Sequence, residues 1–272
     1  MSKKNVLITG CSSGMGRAAA LYLANRGFKV FAGSREPDKL KEIESQNLVP
    51  IKLDITDSKS VQKALQDIKR VDILVNNAGY GLVGSVEEIS EEEMFDQFNV
   101  NVFGVFRVCK EVIPKMRGRG GVIINISSFL GKIGLPLLTF YNSSKYALEG
   151  ITDSLRHELK PFNIRVHSIL PGFFDTNFAR DNLVVNSAVF SKNSPYKEIA
   201  NQLTPTIIKQ INGGNDKIEV AKLILEIIED KNYKARVAIG DKAKKFLPMR
   251  QTLSDEEFEQ RVERYYNLDR LL

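Results

Sequence analysis

A tyrosine and a lysine stand four residues apart in the stretch SSFLGKIGLPLLTFYNSSK, at Tyr141 and Lys145. At that spacing two side chains share one face of a helix. A free phenol ionises near pH 10, too high to exchange a proton readily at neutral pH. A neighbouring ammonium favours the phenolate and is expected to pull that value down. The pair therefore suits general acid–base work at an oxygen on a reacting carbon. Tyr146 lacks such a partner, because Gly150 stands four residues after it. Tyrosine–lysine pairs at this spacing are common on helices, so the chemistry depends on what the rest of the chain brings to them.

The second feature is TGCSSGMG, residues 9–16, with Gly10, Gly14 and Gly16. It joins an apolar stretch, NVLITG, to an alanine- and leucine-rich one, GRAAALYLANRG. Glycines there allow a tight turn and a close approach of backbone to phosphate. The following helix offers unpaired N–H groups and the positive end of its dipole. Between the first strand and first helix of an α/β sheet, this loop predicts dinucleotide binding.

The end of the second strand bears on which dinucleotide. An acid there would accept from a ribose 2′-hydroxyl. The sequence reads AGSREPDKL, with Ser34 and Arg35 at that place. A guanidinium welcomes a 2′-phosphate and a carboxylate repels one, so NADP(H) is favoured over NAD(H). Glu36 and Asp38 follow, and a register error of two residues would reverse that inference.

These residues need a scaffold, and the chain supplies alternating strands and helices. FKVFAGS, LVPIKLDIT, VDILVNNAG, GVIINISS, IRVHSILPG and ARVAIG follow NVLITG as apolar, strand-like runs. Continuous apolar strands separated by helical stretches imply a mainly parallel sheet covered on both faces. The helix carrying Tyr141 and Lys145 shows the stripe Ala147, Leu148, Ile151, Leu155 and Leu159 and is expected to stop at Pro161. Gly27 is the expected stop of the first helix. Residues 173–215, rich in Phe, Asn, Ser and Thr, show only weak helical periodicity. They follow a strand's carboxyl end, where ligands bind in open α/β sheets, so they are read as a lid or substrate loop. A plain surface excursion is the alternative.

Composition narrows the classes. The 272 residues suit one α/β domain, with no linker, repeat or low-complexity tract. The net charge of +6 comes from 39 basic and 33 acidic residues, but no basic block supports nucleic-acid binding. Only two histidines and two cysteines are present, which argues against a metal site and a disulfide framework and fits a reducing cytosol. No export signal or membrane span is expected.

Taken in order, these motifs resemble the short-chain dehydrogenase/reductase family, in its single-domain branch. The resemblance covers residues 5–176 and the late strand. It rests on the TGxxxGxG loop, Asp54 after the third strand, NNAG at residues 76–79, Asn101 in NVNVFG, Ser128, YNSSK at residues 141–145 and PGFFDT at residues 171–176. It implies a Rossmann-like, doubly wound fold with a mainly seven-stranded parallel sheet. It also implies roles: Gly10, Ser12, Ser13, Gly14, Met15 and Gly16 along the cofactor's phosphates and adenosine ribose, Asp54 and Ile55 at the adenine, and Asn76, Ala78 and Gly79 along a ribose. Asn76 has a rival role tying strands together. Pro171, Gly172, Phe174 and Thr176 would border the nicotinamide, with Thr176 on its carboxamide. Tyr141 and Lys145 would touch both cofactor and reacting atoms.

The same resemblance makes Ser128 a second donor to the substrate oxygen and Asn101 the holder of a water that passes the proton on from Lys145. Ser128 stands thirteen residues before Tyr141, the family's spacing, and Ser127 points to the other side of the strand. Ser143 and Ser144 are read as bystanders. The implied reaction interconverts an alcohol and a ketone or aldehyde. GLPLL at residues 134–138, with Phe173, Phe174, Phe178, Leu183, Val184, Val185 and Phe190, points to a neutral, apolar small-molecule substrate. TGCSSG and ALEGITDSLRHEL look like the 17β-hydroxysteroid-dehydrogenase-like and retinol-dehydrogenase-like members. A homodimer or homotetramer in the cytoplasm is the family's usual state. Residues 241–272 extend past the last strand, with Ser254 as an N-cap and Phe258, Val262, Tyr265 and Tyr266 at helical spacing, to cover the substrate entrance or another subunit. Two rivals remain. A non-catalytic dinucleotide-binding regulator would lack Tyr141 or Lys145. An epimerase or dehydratase of the extended branch would have different glycine spacing and a longer C-terminal substrate domain.

Overall fold

Val6 and Ile8 turn to one side of the first strand and Leu7 to the other, and all three are fully buried. A strand covered on both faces has no need of polar alternation. The computed structural model describes residues 3–271. Seven such strands form one sheet: β1 (Asn5–Ile8), β2 (Lys29–Ser34), β3 (Leu48–Lys52), β4 (Ile73–Asn76), β5 (Gly121–Ile126), β6 (Ile164–Pro171) and β7 (Arg236–Ile239). Every neighbouring pair is parallel, in the order β3-β2-β1-β4-β5-β6-β7. The order reverses beside β1, which places a crevice at the carboxyl ends of β1 and β4.

On one face α1 (Gly14–Asn25) and α8 (Ile218–Glu229) pack Ala20, Leu23, Val220 and Ile224 against Val6, Ile8 and Val75. On the other, α2 (Ser58–Gln66), α4 (Gly104–Met116) and α5 (Thr139–Glu158) pack Val61, Val108, Val112 and Leu148 against Leu7, Leu74 and Ile123. Gly27, at φ +87°, ends α1 as expected. The short α3 (Glu91–Phe98), entered through a Ser90–Glu93 capping box, runs into a π-helical turn at Asn99–Phe103 and then into α4. Among the described residues no helix is long and apolar enough to cross a membrane.

Residues 173–215, whose helical periodicity is weak in the sequence, hold regular structure. A two-residue strand at Phe174–Asp175 pairs with Asn215–Asp216, and Leu183–Val185 pairs with Gly81–Val83. The one-turn α6 (Phe178–Asp181) precedes α7 (Lys197–Asn212), whose buried residues Ala200, Leu203, Thr204, Ile207 and Ile211 form a helical stripe. Thr204 and the internal Pro205 break that stripe in the sequence.

Beyond β7 come α9 (Asp241–Thr252) and α10 (Asp255–Tyr266), the latter opened by a Ser254–Glu257 capping box. Phe258, Val262 and Tyr266 are buried in a third core with Phe129, Phe173, Ile207 and Phe246. Phe246 stacks on Tyr266 at 6.4 Å and on Phe129 at 6.3 Å, and Phe129 meets Phe173 edge-on at 5.4 Å. The extension therefore packs on the chain's own substrate-side core.

Candidate active site

Two concavities meet at the carboxyl ends of the strands. A cleft of about 570 Å³ is bordered by Gly10, Ser12, Ser13, Gly14, Met15, Ser34, Arg35, Asp54, Ile55, Ala78, Gly79, Tyr141, Lys145 and Thr176. A smaller apolar pocket of about 70 Å³ is bordered by Ser128, Phe129, Leu138, Pro171, Gly172, Phe173, Phe174, Ile207 and Ile211. Met15, Ser127, Tyr141, Thr176 and Phe178 border both.

The cleft's glycine loop is a cradle that side chains would fill. Gly10 adopts φ +70°, and a Cβ there would stand 2.7 Å from Ala78 Cα. A Cβ on Gly16 would collide with Asn77 Nδ2 and the Gly10 carbonyl. Ser13 caps α1 in extended conformation with no side-chain capping bond, and the first turn carries no acid. Such a terminus, with free N–H groups and a positive dipole, suits a dinucleotide's phosphates. The donor set and the volume fit a nicotinamide dinucleotide.

Asp54 accepts from the Thr56 N–H at 2.9 Å and the Thr56 hydroxyl at 2.7 Å, which fixes the loop after β3. Arg35 is exposed at the cleft's edge and forms no ion pair among the described residues. Glu36 pairs with Lys39 at 2.9 Å and Asp38 with Lys41 at 2.7 Å.

Asn76 departs from its expected place on the cleft. It is buried in the seam between β4 and β5, where Nδ2 donates to Asn125 Oδ1 at 2.8 Å. Its strand parity turns it inward. The next residue, Asn77, borders the cleft instead and donates to the Thr9 and Gly10 carbonyls at 2.9 and 3.0 Å. Asn77 went unread in the sequence, although NNAG offers both asparagines. Pro171, Gly172 and Phe174 line the apolar pocket and do not border the cleft; only Thr176 reaches both.

Tyr141 and Lys145 share one face of α5, and Lys145 Nζ lies 5.8 Å from the Tyr141 ring centre. The expected lowering of the phenol is reversed. Burial pushes Tyr141 up to about 12, and a hydrogen bond with Ser128 draws it back only partly. Lys145 Nζ donates to the Ile126 carbonyl at 3.0 Å. Burial pulls Lys145 down to about 8, opposed by the Glu149 carboxylate. Ser128, rather than Ser127, pairs with Tyr141, and its Oγ also accepts from the Leu130 N–H at 3.1 Å.

Asn101 sits in the π-helical turn. Its Oδ1 accepts from the Tyr80 N–H at 3.1 Å, and its Nδ2 donates to the Tyr80 carbonyl at 3.0 Å and to Ser144 Oγ at 2.9 Å. Ser144 Oγ donates onward to the Tyr141 carbonyl at 2.7 Å, so this serine links Asn101 to the start of α5. A Cβ on Gly79 would lie 3.1 Å from Asn101 Oδ1 and 3.6 Å from Lys145 Nζ, which puts the amide oxygen and the ammonium on one small space.

Of GLPLL only Leu138 lines the apolar pocket; Leu135 and Pro136 face a separate groove under α10. Between them Leu137 is buried at φ +60°, costing a branched residue about 1–2 kcal/mol. Its carbonyl accepts from the Gly84 N–H at 2.8 Å, which pins the wall. Phe173, Phe174, Phe178 and Leu183 line the pocket, Val184 borders the cleft, and Val185 and Phe190 lie on another face beside α7.

Fold and motifs together define an α/β protein of the short-chain type. A family profile described as short chain dehydrogenase matches residues 4–187, and the chain belongs to that family, an oxidoreductase family. It is 37% identical over 263 residues to the 3-ketodihydrosphingosine reductase of Bacteroides thetaiotaomicron, covering 91% of this chain and 94% of that one. Among solved structures, a short-chain dehydrogenase from Streptomyces avermitilis superposes with TM-score 0.82 at 32% identity, over 99% of this chain and 98% of that one. One from Burkholderia cenocepacia, in complex with NADP, gives TM-score 0.77 at 25% identity, over 96% and 98% of the two chains. One from Burkholderia phymatum, in complex with NAD, gives 0.72 at 27%, over 86% and 89%.

Proposed function

We propose that this oxidoreductase uses NADPH to reduce a neutral, apolar ketone or aldehyde to its alcohol. The observation that carries the reading is the position of Tyr141, on the border between the polar cleft and the apolar pocket. A carbonyl group seated in the pocket meets the phenol where the cleft begins. Bound in the cleft, the nicotinamide would supply the hydride to the carbonyl carbon.

The chain's own residues handle the oxygen. Tyr141, protonated through the neutral range because burial raises its phenol, donates its proton to the oxygen as negative charge develops there. Ser128 gives a second hydrogen bond to the same oxygen. Lys145 sets a positive field beside the phenolate that results, and Asn101 holds the route by which solvent returns the proton.

Two features support the phosphorylated cofactor. Arg35 forms no ion pair among the described residues at the cleft edge, whereas Glu36 and Asp38, the acids that would repel a 2′-phosphate, are each held by a lysine. The Bacteroides relative is named as a reductase of a keto compound, in keeping with the reductive direction. The test is NADPH oxidation followed optically against steroid, retinoid, aromatic, short aliphatic and 3-keto sphingoid carbonyls. Turnover of at least one apolar carbonyl is expected. No turnover on any of them, or equal rates with NADH, would respectively sink the substrate and cofactor readings.

A further inference from the structure

Glu149 is a carboxylate sealed inside the protein, 2% exposed and one helical turn beyond Lys145 on α5. Its Oε1 accepts from Ser168 Oγ on β6, and its Oε2 accepts from Arg236 Nε on β7 at 2.6 Å. Lys132 Nζ stands 3.7 Å away, at the protein's edge. Arg236 is held from the other side by Asp153 at 2.5 Å. The turn after Ser128 closes over this stretch: a Cβ on Gly131 would lie 3.0 Å from the Lys145 carbonyl and 3.3 Å from Glu149 Cγ. The turn thus packs against the Lys145 main chain and the Glu149 stem.

Lys145 is surrounded by weak or neutral partners otherwise. β5 presents the Ile126 carbonyl, the π-helical turn presents Asn101 Oδ1, and its own helix presents the Tyr141 ring and Glu149. Among these, Glu149 is the one carboxylate. Burial disfavours an ammonium, so the lysine's charge depends on that carboxylate.

We propose that Glu149 is a positioning residue for the reaction: it keeps Lys145 in its ammonium form, and Ser168 and Arg236 hold the carboxylate in place to do so. The inference rests on the role given to Lys145 above. Its rival is a strut, in which Glu149 ties α5 to β6 and β7 and leaves the lysine's titration alone.

The test compares the protein with Glu149→Gln, whose amide oxygen can still accept from Arg236 while its NH2 donates to the Ser168 hydroxyl. Two readouts are taken against pH: the Lys145 Cε NMR shift in isotopically labelled protein, assigned with Lys145→Met, and NADPH turnover. In Glu149→Gln the Lys145 midpoint is expected to fall by about one pH unit, the lower end for a lost opposite charge. The alkaline limb of turnover should fall with it. Asp153→Asn removes an exposed carboxylate that does not face Lys145 and leaves Glu149 its bond from Arg236 Nε, so it should move neither. An unmoved Lys145 midpoint in a folded Glu149→Gln protein overturns the proposal. A moved midpoint with an unmoved limb supports Glu149's hold on Lys145 and overturns the catalytic role of the lysine. Should Glu149→Gln not fold, Lys132→Gln serves, since it removes a competing cation at the protein's edge. It should raise the Lys145 midpoint, and no rise would count against the proposal.

Discussion

Lys145 Nζ donates to the main-chain carbonyl of Ile126, the last residue of β5, across 3.0 Å. This one bond ties the middle of α5 to a strand end and removes the ammonium from water. The phenol of Tyr141, on the same helix face, is not lowered: Lys145, near 8, loses its charge before a phenol near 12 ionises, and burial dominates at the tyrosine. Helix spacing alone placed both side chains on one face but could not say where the ammonium points.

The burial of Lys145 should be visible in stability. Its folded value near 8 lies below the ordinary 10.5. Between those values the unfolded chain holds the proton and the folded chain has released it, so this group makes stability rise with pH across that window. Below pH 8 both states are protonated and the contribution is flat. The rise should be on the order of 2 kcal/mol and should vanish in Lys145→Met. Denaturant unfolding at pH 7 to 10 on both proteins checks it. Cys11 and Cys109, whose thiols burial raises, act with the opposite sign above pH 9 but equally in both, so the difference isolates the lysine.

Replacing Tyr141 by Phe removes the proton donor and keeps the ring. Turnover should fall by about 10²–10⁴-fold, the range for a lost general acid. NADPH affinity, followed by fluorescence, should change little. Full activity in this variant would defeat the mechanism.

Ser128→Ala removes the hydroxyl paired with Tyr141 and leaves the Leu130 N–H without its acceptor. A loss of about 10²-fold in kcat is expected, as for one donor at a developing oxyanion. The companion Ser127→Ala should cost less, because the Ser127 hydroxyl is buried without a partner. Equal losses in the two would remove the distinction between the serines.

Much of this was legible in the sequence, for physical reasons that differ by element. The central strands read most directly, because a strand buried on both faces needs no polar alternation, as at residues 6–8, whereas the edge strands at residues 48–52 and 236–239 are only partly buried. The glycine loop read directly because close backbone approach admits no other residue, as Gly10 and Gly16 demonstrate. Asn76, expected at the cofactor ribose, takes its rival role of tying strands while Asn77 borders the cleft, because parity decides which side chain turns inward, and parity depends on where β4 ends. α7 was hidden by Thr204 and Pro205 inside its stripe. Glu149 was invisible, because its partner Arg236 lies 87 residues away in sequence.

The cofactor reading has a selective test in Arg35→Ala. A charge-assisted contact to a phosphate is worth about 1.5–3 kcal/mol. The KM for NADPH should therefore rise by roughly 10- to 150-fold, with the KM for NADH unchanged. A proportional rise in both would mean that Arg35 shapes the cleft edge without recognising a phosphate.

The C-terminal extension should matter to the substrate and not to the cofactor. Phe246 is fully buried, stacked on Tyr266 from α10 on one side and on Phe129 on the other. Phe129 follows Ser128 and lines the apolar pocket, whereas no residue of α9 or α10 borders the cleft. Phe246→Ala should cost about 3–5 kcal/mol of stability, as large-to-small changes in a packed core do. If the protein remains folded, the cavity lets Phe129 shift, so KM for the apolar carbonyl should rise while NADPH affinity holds. The milder Phe246→Leu keeps most of the volume and should show the same direction with a smaller loss. A fall in NADPH affinity equal to that in substrate affinity would show that the third core supports the whole crevice, not the pocket alone.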